Sequence, residues 1–124
     1  MKIEELSIGD WFMTKGHPAQ VGMISKIMKG GYYDYVRLKN KLMFYDIRIP
    51  KYLEPIPLTN EILEKNGFKE SIITGVFYES ISGRSITRQD DFYYMDGIIA
   101  VELRYVHELQ HALRLLKIDK EIEL

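Results

Sequence analysis

The chain has 124 residues, 46% of them hydrophobic and 28% charged, with a net charge of −1 and no cysteine. This composition is that of a globular protein and rules out disulfides, thiolate metal sites and cysteine nucleophiles. No run approaches the ~18 apolar residues of a membrane helix, and the acidic start "MKIEELSIGDW" lacks the apolar stretch of a secretory signal, so the expectation is a cytoplasmic protein with no membrane partner.

Fifteen aromatic residues, nine of them tyrosine, supply bulk for a core of one domain or two small modules. Residues 1–57 carry nine Lys/Arg against six Asp/Glu, a balance of +3; residues 58–124 carry eight against twelve, a balance of −4. Neither imbalance by itself argues for nucleic acid or membrane.

The first half reads as short strands between turns. "DWFMTK" (10–15) precedes a turn holding Gly16 and Pro18, and "VGMISKIM" (21–28) runs into the tight-turn pair Gly30-Gly31. "YYDYVRL" (32–38) and "LMFYDIRI" (42–49) flank a polar "KNK", and Met43, Tyr45, Ile47 and Ile49 alternate onto one face. Four or five such strands within residues 1–57 predict a small barrel of the SH3 type.

"LEPIPLT" (53–59) is the joint. Thr59 is an N-cap candidate for a helix over 60–66, with Glu61 near its positive end and Gly67 as a left-handed stop. "GVFYESI" (75–81) is a strand, 82–91 a polar loop, and "FYYM" (92–95) a strand turning at Asp96-Gly97 into "IIAVEL" (98–103). "RYVHELQHALRLL" (104–116) is helical, with Tyr105, Leu109, Ala112, Leu113 and Leu116 on one side, and 118–124 a short edge strand. The expected fold is α+β: an SH3-like barrel over 1–57 and a helix–β-meander–helix unit over 58–124, packed as one compact body.

One stretch spells a catalytic motif. His107-Glu108-Leu109-Gln110-His111 has the H-E-x-x-H spacing that sets two histidines side by side on a helix to hold zinc, with the glutamate as general base. A catalytic zinc needs a third protein ligand. Only 13 residues follow His111; Arg114 and Lys117 stand where the extended motif has glycine and histidine. His17, Asp119, Glu121 and Glu123 fall at no recognised spacing. The expectation is therefore no metal and no cofactor, with His107, His111 and the catalytic candidate Glu108 read as polar residues of a structural helix. Gln110 and His107 are taken as a polar surface pair.

Three blocks carry a resemblance: Ile8-Gly9-Asp10-Trp11, "PIPLTNEILEKNGF" (55–68), and "YVHELQH" (105–111) with its acidic tail. Together they resemble a group of small proteins of gut bacteria, prophages and mobile elements whose pattern ends on a "YVHxLQN" helix. The resemblance implies no activity. It does imply that Glu108 and His111 stand where relatives carry other polar residues, which would make the zinc motif a product of two substitutions.

"KIMKGGYYDYVRLKNK" (26–41) interleaves four lysines and one arginine with three tyrosines. Cations beside aromatic platforms suit single-stranded nucleic acid, so Lys26, Lys29, Tyr33, Tyr35, Arg37, Lys39 and Lys41 are candidates for a nucleic-acid or partner surface. The same residues also read as ordinary strand and turn positions. Phe77, Tyr78 and "FYYM" suggest an aromatic groove or sheet core, while Asp90, Asp91 and Asp96 lack any calcium-loop spacing. The leading expectation is a non-catalytic accessory protein acting on an unidentified protein partner. Nucleic-acid binding and a minimal zinc hydrolase are the alternatives; the sequence assigns no oligomeric state.

Overall fold

The computed structural model describes residues 3–16, 18–79, 83–95, 102–118 and 120–124. His17, the Asp96-Gly97 hairpin, Asp119 and most of the strand expected at 98–103 lie outside the described residues. The chain divides between Ile56 and Pro57 into two units, one residue ahead of the expected boundary.

Unit 1 is an antiparallel sheet of β1 (Trp11–Thr14), β2 (Val21–Lys29), β3 (Asp34–Lys39), β4 (Phe44–Ile49) and β5 (Leu53–Pro55), in the order β4-β3-β2-β1-β5. Alternation builds its core. Val36 and Leu38 of β3 are buried together with Ile24, Phe12, Ile49, Leu53 and Leu6. The β2–β3 register slips between Ile24 and Lys26. The extra residue changes the inward phase of β2 from Gly22 and Ile24 to Ile27, and it increases strand twist locally. The "SIGD" block is a turn that enters β1: buried Asp10 accepts a hydrogen bond from the Ser7 amide through Oδ2 at 2.9 Å, and Gly9 takes φ +95°. One block of the resemblance thus has a structural use.

Unit 2 begins with α1 (Asn60–Lys65), capped as expected by Thr59, whose Oγ1 accepts from the Ile62 amide at 3.3 Å. Gly67 (φ +87°) stops it. A meander follows: β6 (Phe68–Glu70), β7 (Val76–Glu79), β8 (Ser85–Gln89), β9 (Phe92–Met95) and β10 (Glu102–Leu103), each strand pairing with the next. α2 (Val106–Leu115) closes the element order. Phe68, Phe77, Ile86, Tyr93, Met95 and Leu103 alternate onto the buried face of this sheet. Phe77 meets Tyr93 edge-on at 6.4 Å.

Three expectations are corrected. The polar loop over 82–91 contains β8, because Ile86 is buried against Phe77 and Met95 while Ser85 and Thr87 face the other way. A single apolar residue among polar ones left too little periodicity to reveal it. The tail over 118–124 forms no strand among its described residues. Instead the buried side chain of Asn66 donates to the Glu123 carbonyl at 2.7 Å and accepts from the Glu123 amide at 2.7 Å. One side-chain amide thus does what a neighbouring strand would, and Ile122 is buried beside it in sequence. The buried stripe of α2 is Val106, Leu109, Gln110 and Leu113, rotated from the expected one, with Leu115 left exposed.

Unit 2 also buries a charge. Glu79 shares the inner face of β7 with Phe77, and its Oε1 lies 3.8 Å from Nζ of Lys120. Lys120 arrives over Gly67, where a Cβ would stand 3.2 Å from that ammonium.

Candidate functional site

The α2 helix carries the H-E-x-x-H residues, and its chain entry explains Glu108. The first amides of a helix have no partner within it, and an acceptor that reaches back from the third helical position satisfies them. Tyr105 is the N-cap and its side chain makes no capping hydrogen bond. Glu108 supplies the acceptor: its Oε1 takes the amides of Arg104 at 2.9 Å and Tyr105 at 3.0 Å. A general base needs that oxygen aimed at a metal-bound water.

His107 and His111 do share a side of the helix, with ring centroids 5.7 Å apart and the planes crossed at 79°. His107 also stacks on Tyr105 at 6.0 Å, and its Nδ1 atom is buried. Among the described residues no third His, Cys, Asp or Glu joins them in a group able to hold a metal. Gln110, expected at the surface with His107, is buried instead. It is 7% exposed and lies on the buried stripe, whereas His107 is half-buried.

The basic, tyrosine-rich segment falls on β2 and β3, and strand alternation sorts its residues. On the outer face, Lys26, Arg37 and Asp46 make one cross-strand row; Met23, Lys39 and Phe44 make the next; Met28, Tyr35 and Arg48 make a third. Lys29, at the end of β2, follows the inward phase of Ile27, and Lys41 sits in the β3–β4 turn.

Electrostatics reduces what is offered to an anion. The Arg37 guanidinium grips both Asp46 oxygens, at 2.7 and 3.2 Å, and this contact raises the Arg37 pKa and lowers that of Asp46. Arg48 covers the Tyr33 ring with its guanidinium carbon 3.3 Å from the centroid, so one face of that platform is occupied. Lys26, Lys39 and Lys41 remain exposed.

Sequence reasoning missed the apolar part of this surface. Leu42 is 88% exposed and Phe44 64%, with Met43, Met23 and Val21 exposed beside them in the chain and register. The turn that presents them is clamped. Asn40 Oδ1 accepts from the amides of Leu42 (2.9 Å) and Met43 (3.0 Å), while its Nδ2 donates to the Val21 carbonyl at 3.1 Å. Reading "LMFYDIRI" as one strand hid this. Asn40 in "KNK" was the available signal that the turn extends to Met43.

The remaining clusters separate. Phe77 and Tyr93 are core, whereas Tyr78, Phe92 and Tyr94 lie on the opposite face of their sheet, so no common groove forms. Asp91 pairs with Arg104 at 3.1 Å, and Arg104 also reaches Glu102 at 3.2 Å and covers Phe92.

Among its described residues the chain forms two antiparallel sheets and two α-helices, an α+β arrangement, and no helix there is long and apolar enough to cross a membrane. No protein-family model, curated protein or solved structure matches it significantly.

Proposed function

We propose that this chain is a small non-catalytic binding protein that acts through protein contacts, using the outer face of β2–β3–β4 and the tip that joins β3 to β4. The observation that carries this reading is the held-out apolar tip, Leu42, Met43 and Phe44, bordered by Lys39 and Lys41. Exposed apolar groups rimmed by charge are what a protein interface offers. A turn clamped by Asn40 lowers the entropy cost of docking.

The strand order β5-β1-β2-β3-β4 and the bulged β2 support reading unit 1 as an SH3-like, partly open barrel. The resemblance to prophage and mobile-element proteins supports an accessory role in such an element, in the cytoplasm. Exposed Lys26 and Lys39 support a second reading as a nucleic-acid surface, with Arg37 withdrawn by Asp46. A zinc hydrolase would first have to release Glu108 from its cap.

The test is recovery of bound proteins by the tagged chain from its cells of origin. Leu42→Asp with Phe44→Asp removes the tip, and Ile72→Asp with Ile73→Asp alters exposed isoleucines elsewhere. A partner held by the wild type and the control but lost from the tip variant is the expected result. An unchanged set of bound proteins overturns the reading. A mobility shift that persists at low salt and weakens steeply as salt rises, with no protein partner, favours the nucleic-acid alternative.

A further inference from the structure

The carboxylates of unit 1 keep away from the outer face of β2–β3–β4. Glu4 and Glu5 lie in the short 3-10 helix Ile3–Glu5, whose Ile3 packs on the core. Asp10 is buried, Glu54 is on β5, and Asp34 begins β3 at the end away from the tip. Asp46 is the one carboxylate among the described residues of that face, and Arg37 already holds both of its oxygens. Lys39 and Lys41 are exposed, and neither makes an ion pair among the described residues.

The row nearest the tip sets a cation between two apolar side chains. Met23, Lys39 and Phe44 are cross-strand partners, so Met23 and Phe44 stand about 5 Å to either side of Lys39. The Arg37 guanidinium carbon lies 5.1 Å from the centre of the Phe44 ring and backs it from the next row. Val21 extends the exposed apolar strip along β2, and Leu42 and Met43 extend it into the turn beside Lys41.

We propose that this strip binds an acidic partner segment in which a carboxylate is flanked by apolar side chains. The carboxylate meets Lys39, the flanking groups cover Met23 and Phe44, and a second carboxylate meets Lys41 beside Leu42. This rests on the partner-binding reading and names the chemistry of the partner at the same tip.

Charge complementarity selects the occupant. A neutral apolar segment would take the Lys39 ammonium out of water with nothing to pair it, which opposes binding. A basic segment would be repelled. A nucleic-acid backbone supplies anions but no aliphatic group for Leu42 and Met43. An acidic segment with apolar neighbours satisfies both halves of the strip.

Selection from a random library of short peptides on the immobilised intact chain tests the proposal. The peptides recovered are expected to carry Asp or Glu next to apolar or aromatic residues. They should bind Lys39→Glu with Lys41→Glu at least about tenfold more weakly, and should weaken as salt rises. Replacing their Asp and Glu by Lys should restore binding to that variant, which a merely structural effect of the lysine changes would not do. Where the variant does not fold, Lys39→Gln with Lys41→Gln takes its place, and a loss of at least about threefold is expected.

Peptides without an acidic bias overturn the proposal, as do peptides that bind the lysine variants as tightly as the wild type, or a library that yields none. If peptides of that kind are still lost from Leu42→Asp with Phe44→Asp, the partner-binding reading survives. If the recovered peptides bind this tip variant undiminished, both readings fall. Binding through the tip to phosphatidylserine vesicles or to a single-stranded oligonucleotide, in place of any peptide, also overturns the proposal and assigns the face to a membrane or a nucleic acid instead.

Discussion

Glu108 reaches back one turn to the N-cap of its own helix and holds the Tyr105 amide at 3.0 Å and the Arg104 amide at 2.9 Å with a single oxygen. The residue that completes the hydrolase motif is thus engaged in starting the helix. Glu108→Ala should lower stability by about 1 kcal/mol, the usual cost of a lost cap. Glu108→Gln keeps an acceptor oxygen and should lose much less. Thermal unfolding of the two variants checks this. An equal and negligible effect of both would mean that the carboxylate is not the cap.

Asn66 makes a second side-chain-to-backbone clasp, joining α1 to the tail through Glu123 and also donating to the Ile62 carbonyl at 2.8 Å. Asn66→Ala should cost roughly 1–2 kcal/mol, because it leaves the part-buried amide and carbonyl of Glu123 without this partner. Amide hydrogen exchange should then speed up selectively at Glu123 and its neighbours. Asn66→Asp should be no better, since a carboxylate cannot donate to the two carbonyls.

Gly67→Ala should destabilise unit 2 by about 1 kcal/mol or more. Its φ of +87° disfavours a side chain, and the new Cβ would press on the Lys120 ammonium that approaches buried Glu79. Denaturant unfolding measures the loss. Gly31→Ala is the control, since a Cβ there meets nothing within 4 Å.

Two titrations have defined signs. The hydrogen bond from Arg37 holds the Asp46 carboxyl below its ordinary 3.8, so its contribution is present above that value and is lost as pH falls through the lowered one. Arg37→Met should flatten this acid limb of the stability profile. Burial raises the Tyr93 phenol above its ordinary 10.0, so the stability linked to its neutral form is complete below that value and is lost as pH rises through the raised one. Ultraviolet titration should find the Tyr93 phenol ionising above its ordinary value, and Tyr93→Phe should remove this step.

Local chemistry was legible in the sequence where it acts over a few residues. Thr59 and Gly67 bounded α1 within a residue, and the alternation in "LMFYDIRI" announced β4 with its inward Ile47 and Ile49, although Leu42 and Met43 belong to the turn before it. The phase of α2 was misread because Ala112 and Leu116 look as apolar as Val106. Which of them is buried depends on where the sheet lies, and it brings Gln110 into the core instead. β8 was missed because its one core residue, Ile86, acquires meaning only from Phe77 and Met95 on neighbouring strands.

The sequence by itself determined the α+β class, the absence of thiol chemistry, the division near residue 57 and the caps of the first helix. These follow from composition and from interactions between residues close along the chain. Only the tertiary structure decided the use of the motif residues. Whether Glu108 faces a metal or its own helix end, whether Arg37 is available or held by Asp46, and whether Leu42 is core or tip all depend on groups brought together by strand register. Spacing places side chains on a face; the partner across the sheet or at the helix end determines what they can do there.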